Sequence, residues 1–111
     1  MRYLVHGEIV DPSYPVPPQQ FAQYLESLVI PSVEHLVKLE AAGKVLAGGT
    51  PAGTRGTACI VEAASNDEVG EILMSLPFWA LLKWQVTPLE SWQSRLNRVR
   101  HILEQAKATP R

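Results

Sequence analysis

The order of elements legible in the chain predicts an α+β fold, a ferredoxin-like β-α-β-β-α-β split arrangement with an antiparallel sheet and one further C-terminal helix. Three observations carry this expectation. The chain opens on an alternating apolar stretch, Tyr3, Val5, Gly7 and Ile9 on one side and Leu4, His6 and Glu8 on the other. Two helical periodicities follow, separated by two short strands around a glycine-rich turn. Residues 76–89 then hold Trp79, Trp84 and Phe78, and read as a proline-punctuated loop, a buried strand at about 80–86 and a helix start.

After the first strand, residues 11–18 carry Pro12, Pro15, Pro17 and Pro18, which demand a stiff extended loop, with Pro17 and Pro18 suited to a first helical turn. The helix that follows has an apolar stripe at Phe21, Leu25, Leu28, Leu36 and Leu39, with Ser32 and His35 on or beside it. Pro31 interrupts it, and an interior proline costs about 3 kcal/mol, so a kink or break is expected near Ile30. Gly43 is the C-terminal cap. Val45–Gly49 and Thr57–Ala63 form a hairpin around Thr50-Pro51-Ala52-Gly53-Thr54-Arg55-Gly56. Ser65 and Glu68 make a capping box for a helix burying Val69, Ile72, Leu73 and Leu76. Thr87-Pro88-Leu89-Glu90 reads as a second capping box, opening a C-terminal helix with Leu89, Trp92, Leu96, Val99, Leu103 and Ala106 on a heptad-like seam. That seam must bury against the domain or a partner subunit. Residues 1–89 are expected to be the sheet domain and 90–111 its helical extension.

Composition narrows the function classes. With 46% hydrophobic and 19% charged residues the chain reads as globular. A net charge of −1 and a pI near 6.3 give no general attraction to nucleic acid. No apolar run approaches the ~18 residues of a membrane span, and the apolar N-terminal stretch is too short for a signal peptide, so a cytoplasmic protein is expected. Cys59 is the single cysteine, which excludes an intramolecular disulfide and a cysteine-rich zinc site. Absent a paired-histidine signature, neither a metal nor a cofactor is expected.

A four-stranded sheet of this kind has strand order 4-1-3-2, so the first and last strands are neighbours and one sheet face lacks helices. Pairing two such faces into a dimeric α+β barrel would cover it, which makes a homodimer or higher homo-oligomer the expected partner state.

The stretch Glu40-Ala41-Ala42-Gly43-Lys44-Val45-Leu46-Ala47-Gly48-Gly49, then Gly53 and Gly56, Ile60-Val61-Glu62-Ala63, Ser65, and Leu76-Pro77-Phe78-Trp79 running to Val86-Thr87-Pro88-Leu89 resembles the muconolactone delta-isomerase family. The resemblance extends through Leu89. It implies a dimeric α+β barrel and isomerisation of a small unsaturated lactone in aromatic-compound degradation, the intramolecular oxidoreductase chemistry that moves C=C bonds. The chain departs from the family's active enzymes in two places, reading Gly49-Thr50-Pro51-Ala52-Gly53 and Leu4-Val5-His6-Gly7 where those have a His-Tyr segment and a lysine. The matching residues are largely turns, caps and core, which carry fold rather than chemistry.

Double-bond migration needs a base to take a proton and an acid to return it. His6 and Glu8, two residues apart on one strand, are the candidate catalytic pair, with Glu8 orienting His6 or accepting the proton itself. Lys83 on the neighbouring strand and His35 on the first helix are candidate substrate contacts. Arg55 at the hairpin tip suits a substrate carboxylate, and Trp79 suits the wall of a pocket for a planar small organic acid or lactone. The alternative is a non-catalytic small-ligand-binding or assembly module, its polar groups serving the interface.

Overall fold

A computed structural model describes residues 1–10 and 17–110. The expected proline-rich loop falls largely on 11–16, outside these described residues. Strand β1 (Arg2–Ile9) pairs antiparallel with β3 (Gly56–Glu62) on one side and β4 (Leu82–Leu89) on the other, and β2 (Val45–Gly49) completes the sheet beyond β3. The order β2-β3-β1-β4 is the expected one. Helices α1 (Pro18–Tyr24), α2 (Ile30–Ala41) and α3 (Asn66–Met74) lie on one side of it. They bury the alternate residues of β1, so Tyr3 and Val5 are both fully enclosed. Val61, Val69, Leu73, Leu76, Phe78 and Leu82 complete that core, each worth about 1.5–3 kcal/mol of burial.

Pro31 does not break the helical path. A π-turn (Leu25–Val29) joins α1 to α2, and the Ile30 amide reaches back to the Leu25 carbonyl. The wider turn makes room where proline offers no N–H and its ring would strike the preceding turn. Ser32 Oγ donates to the Leu28 carbonyl at 2.6 Å, giving that group a partner inside the altered ladder. Helix α2 ends as expected at Gly43, whose φ of +78° permits a Schellman closure: Lys44 N–H to Leu39 carbonyl at 2.9 Å and Gly43 N–H to Glu40 carbonyl at 3.1 Å.

The capping box of α3 forms. Ser65 Oγ accepts from the Glu68 amide at 3.2 Å, while Glu68 reaches the Ala64 amide at 2.7 Å rather than that of Ser65. Lys44 Nζ also lies 2.7 Å from Glu68, and this bond, followed by that from Ala64, holds the Glu68 carboxyl below its ordinary pKa.

The second expected capping box does not form. Thr87, Pro88 and Leu89 continue β4, opposite Leu4, Tyr3 and Arg2 of β1, and a short 3₁₀ turn (Trp79–Leu81) occupies the start assigned to the strand. Pairing to β1 outweighs the local capping preference, and proline is tolerated because β4 is a sheet edge. Ser91 caps the last helix, α4 (Trp92–Ala108), accepting from the Ser94 amide at 3.1 Å. Glu90 instead takes Arg95 and Arg98 at 2.9 and 3.2 Å. All of α4 is solvent-exposed. It projects from the sheet, giving extents of 71 × 31 × 24 Å and a radius of gyration of 19.2 Å against about 13 Å for a compact chain of this length.

Candidate functional site

The two faces of the sheet present different chemistry. On the face without helices, the register sets His6 between Ala58 and Gln85, and Glu8 between Gly56 and Lys83. Residues directly opposite in an antiparallel pair share a face, with Cβ atoms about 5 Å apart. His6, Glu8, Lys83 and Gln85 therefore converge, as the sequence places the first two, and all four are exposed. Leu4 borders them, 44% exposed.

On the helix face a cavity of about 570 Å³ opens between α1, α2 and the strands, at the end where β1 finishes and the β2–β3 hairpin turns. Phe21, Leu25, Val29, Val33 and Val37 form its helical wall, and Ile9, Val45 and Phe78 line it from the body. Glu40 and Arg55 are its charged groups, with Tyr24, Thr50, Thr54 and Thr57 as polar neighbours. Thr54 is fixed by its amide and its hydroxyl, both donated to the Pro51 carbonyl at 3.1 and 2.8 Å, which shapes the hairpin beside Arg55. Cys59 also lines the cavity; burial pushes its thiol pKa up, so it stays protonated at neutral pH. This volume suits a small organic molecule, and the mostly apolar wall with few polar groups is the usual composition of such a site.

Of the candidate site residues His6, Glu8, His35, Arg55, Trp79 and Lys83, Arg55 alone lines this cavity. His6, Glu8 and Lys83 gather on the opposite sheet face. His35 ties α2 to the end of α3: its Nε2 lies 3.1 Å from Ser75 Oγ, whose own proton goes to the Ile72 carbonyl at 2.6 Å, so Nε2 is the donor. Trp79 is 38% exposed and accepts the Trp84 indole N–H at its carbonyl, 3.0 Å away. Phe78, buried beside it, reaches the cavity and meets Trp84 with ring centroids 6.3 Å apart. Glu40, Tyr24, Val33 and Val37 were not singled out. Their signal was that Val33 and Val37 fall outside the Leu28/Leu36/Leu39 stripe, leaving apolar residues on a second face of α2.

Among the described residues no three of His, Cys, Asp or Glu cluster as a metal site would require, and no helix is long and apolar enough to cross a membrane.

Comparison with known proteins places these features in a family. A search of curated proteins gives no match. Among solved structures, a muconolactone isomerase superposes with a TM-score of 0.67 at 19% identity, covering 85% of this chain and 93% of that one. A 5-chloro-2-hydroxyhydroquinone dehydrochlorinase from Burkholderia phenoliruptrix AC1100, solved with 2,5-dihydroxybenzoquinone, superposes with a TM-score of 0.53 at 24% identity, covering 84% and 97%. The sequence profile described as muconolactone delta-isomerase matches residues 1–95, which take in all four strands and the first turn of α4. The chain belongs to the muconolactone delta-isomerase family.

Proposed function

We propose that this protein is a cofactor-independent isomerase of small organic acids or lactones, working in the cavity between α1–α2 and the sheet. The observation that supports this most is the composition of that cavity: a largely apolar wall with one guanidinium, Arg55, and one carboxylate, Glu40. A planar unsaturated acid would bury its carbon skeleton against Phe21, Val33 and Phe78. Arg55 would hold its carboxylate, a charge-assisted contact that fixes orientation. Glu40 would remove a proton from one carbon of the allylic system and return it to another, so the double bond moves with no net gain or loss of electrons. Arg55 would also stabilise negative charge developing on the conjugated oxygen. The solved relatives, a lactone isomerase and a dehydrochlorinase acting on a hydroxylated ring, fit an acid–base site for small unsaturated rings.

A second reading assigns proton transfer to His6 and Glu8. It is favoured by their convergence with Lys83 and Gln85, and it requires a second sheet to enclose them, as a homodimeric barrel in the cytoplasm would. One experiment separates the two: an ultraviolet assay of double-bond migration over a panel of lactones and aromatic acids, run on Glu40→Gln and His6→Ala. The cavity reading expects Glu40→Gln to lower kcat by about 10²–10⁴-fold with His6→Ala close to wild type. The reverse pattern would overturn it. Thermal-shift binding without turnover by the unmodified protein would support a non-catalytic binding module instead.

A further inference from the structure

Helix α4 carries an uncovered apolar stripe of five large side chains. Trp92 is 88% exposed, and Leu96, Val99, Ile102 and Leu103 are between 43% and 55% exposed. A contiguous apolar stripe of this size on a helix that packs against nothing calls for a partner. Three partners are conceivable on this chain, and the structure discriminates among them.

Self-pairing of two α4 helices puts like charges together. With Trp92, Leu96, Val99 and Leu103 in a coiled-coil seam, the flanking positions hold Arg95, Arg100 and Lys107. Glu90 engages Arg95 and Arg98, but no ion pair among the described residues engages Arg100 or Lys107. The connection works against folding back onto the same chain's α1–α2. Only Glu90 and Ser91 separate β4 from α4, and β4 ends opposite Arg2, at the far end of β1 from the cavity. Nearest that end of β4 is α3, whose Val69, Gly70 and Leu73 line a small opening with Val86 and Pro88, on the far side of the body from α1–α2.

A matching surface exists on α2. Ile30, Val33 and Val37, 51%, 47% and 64% exposed, form a second apolar strip at helical spacing. Glu26, Glu34 and Glu40 flank it, against Lys38 alone, and no ion pair among the described residues engages the three carboxylates. An apolar strip edged with arginine and lysine thus meets an apolar strip edged with glutamate, which is the complementarity that selects a partner. We infer that α4 of one copy docks along the α1–α2 face of a second copy. Val33, Val37 and Glu40 also line the open side of the cavity, so the docked helix closes that side; that consequence rests on the cavity reading, whereas the contact itself does not.

The test is photo-cross-linking of the full chain with a benzophenone amino acid replacing Val99, in a mixture of ¹⁴N- and ¹⁵N-labelled protein, read by mass spectrometry. Mixed-isotope cross-links to residues 21–40 are expected. Mixed-isotope cross-links to α4 or to the open sheet face, single-isotope cross-links, or none at all would overturn the inference. In addition, Glu34→Arg should lower the yield about tenfold, as loss of a principal contact does, and Arg100→Glu in the same chain should restore it. Circular dichroism melting checks that both variants fold, and a failed rescue in folded protein also counts against the contact. Neither readout depends on substrate or turnover.

Discussion

Along β1 the environment changes with every residue, and the contrast between its two faces is the main lesson of the molecule. Toward the helices, Tyr3 and Val5 are sealed, and Gly7 lies under the Trp84 ring so closely that a Cβ there would fall 2.6 Å from that ring. One residue away, His6 and Glu8 stand in water beside Lys83. The helix face is specified by shape, since few other side chains fit. The open face is specified by charge and hydrogen-bonding capacity, and it tolerates substitution unless something covers it. Chemistry follows the same division: an apolar enclosure with two charged groups on one face, a polar constellation without walls on the other.

The contrast can be broken in order of size. Gly7→Ala should cost about 3 kcal/mol, the upper range for overpacking a core, because Trp84 and Leu82 both stand in the way; a denaturant melt showing under about 1 kcal/mol would mean that this face yields more easily than its packing implies. Ser32→Ala should cost about 2 kcal/mol, since Ser32 Oγ accepts the buried Phe78 amide at 2.9 Å and that donor would lose its partner. His6→Ala and Glu8→Ala should each stay within about 0.5 kcal/mol while the open face meets water. Larger costs, with a melting temperature that rises with protein concentration, would show that a second copy covers them. The smallest effect is on acid stability. Glu68 has a lowered pKa in the folded state, so its contribution is complete above the ordinary carboxylate pKa and lost as pH falls through the depressed value. Glu68→Gln should therefore flatten the acid limb of the stability curve below about pH 4.5 and leave pH 7–8 stability less pH-dependent by no measurable amount.

Most of the architecture was legible because local and long-range preferences agree over most of the chain: alternation in β1, Gly43 closing α2, and Ser65 with Glu68 opening α3. Thr87-Pro88-Leu89-Glu90 shows where they part. Its composition is that of a helix cap, but three of its residues have β1 partners, and a ladder that extends an established strand outweighs one capping bond. The shared face of His6 and Glu8 followed from strand periodicity alone, whereas the place of Lys83 opposite Glu8 needed the register. The cavity was hidden for another reason. It depends on the π-turn, which resets the helical phase so that Phe21, Val33 and Val37 face a common space, and on a hairpin tip that brings Arg55 to a helix distant in sequence. No local window contains those relations.

Two of the three tryptophans, Trp84 and Trp92, sit in contrasting surroundings and can serve as optical reporters. Trp84 is packed over Gly7 and against Phe78, with its indole N–H held by the Trp79 carbonyl, so its emission is that of a shielded, hydrogen-bonded ring. Trp92, on α4, emits from water. A blue shift that appears on concentrating the protein and vanishes in Trp92→Phe would report the helix finding a surface, while quenching of the shielded component would report loosening of the body. Contact and unfolding can thus be followed separately in one unlabelled sample.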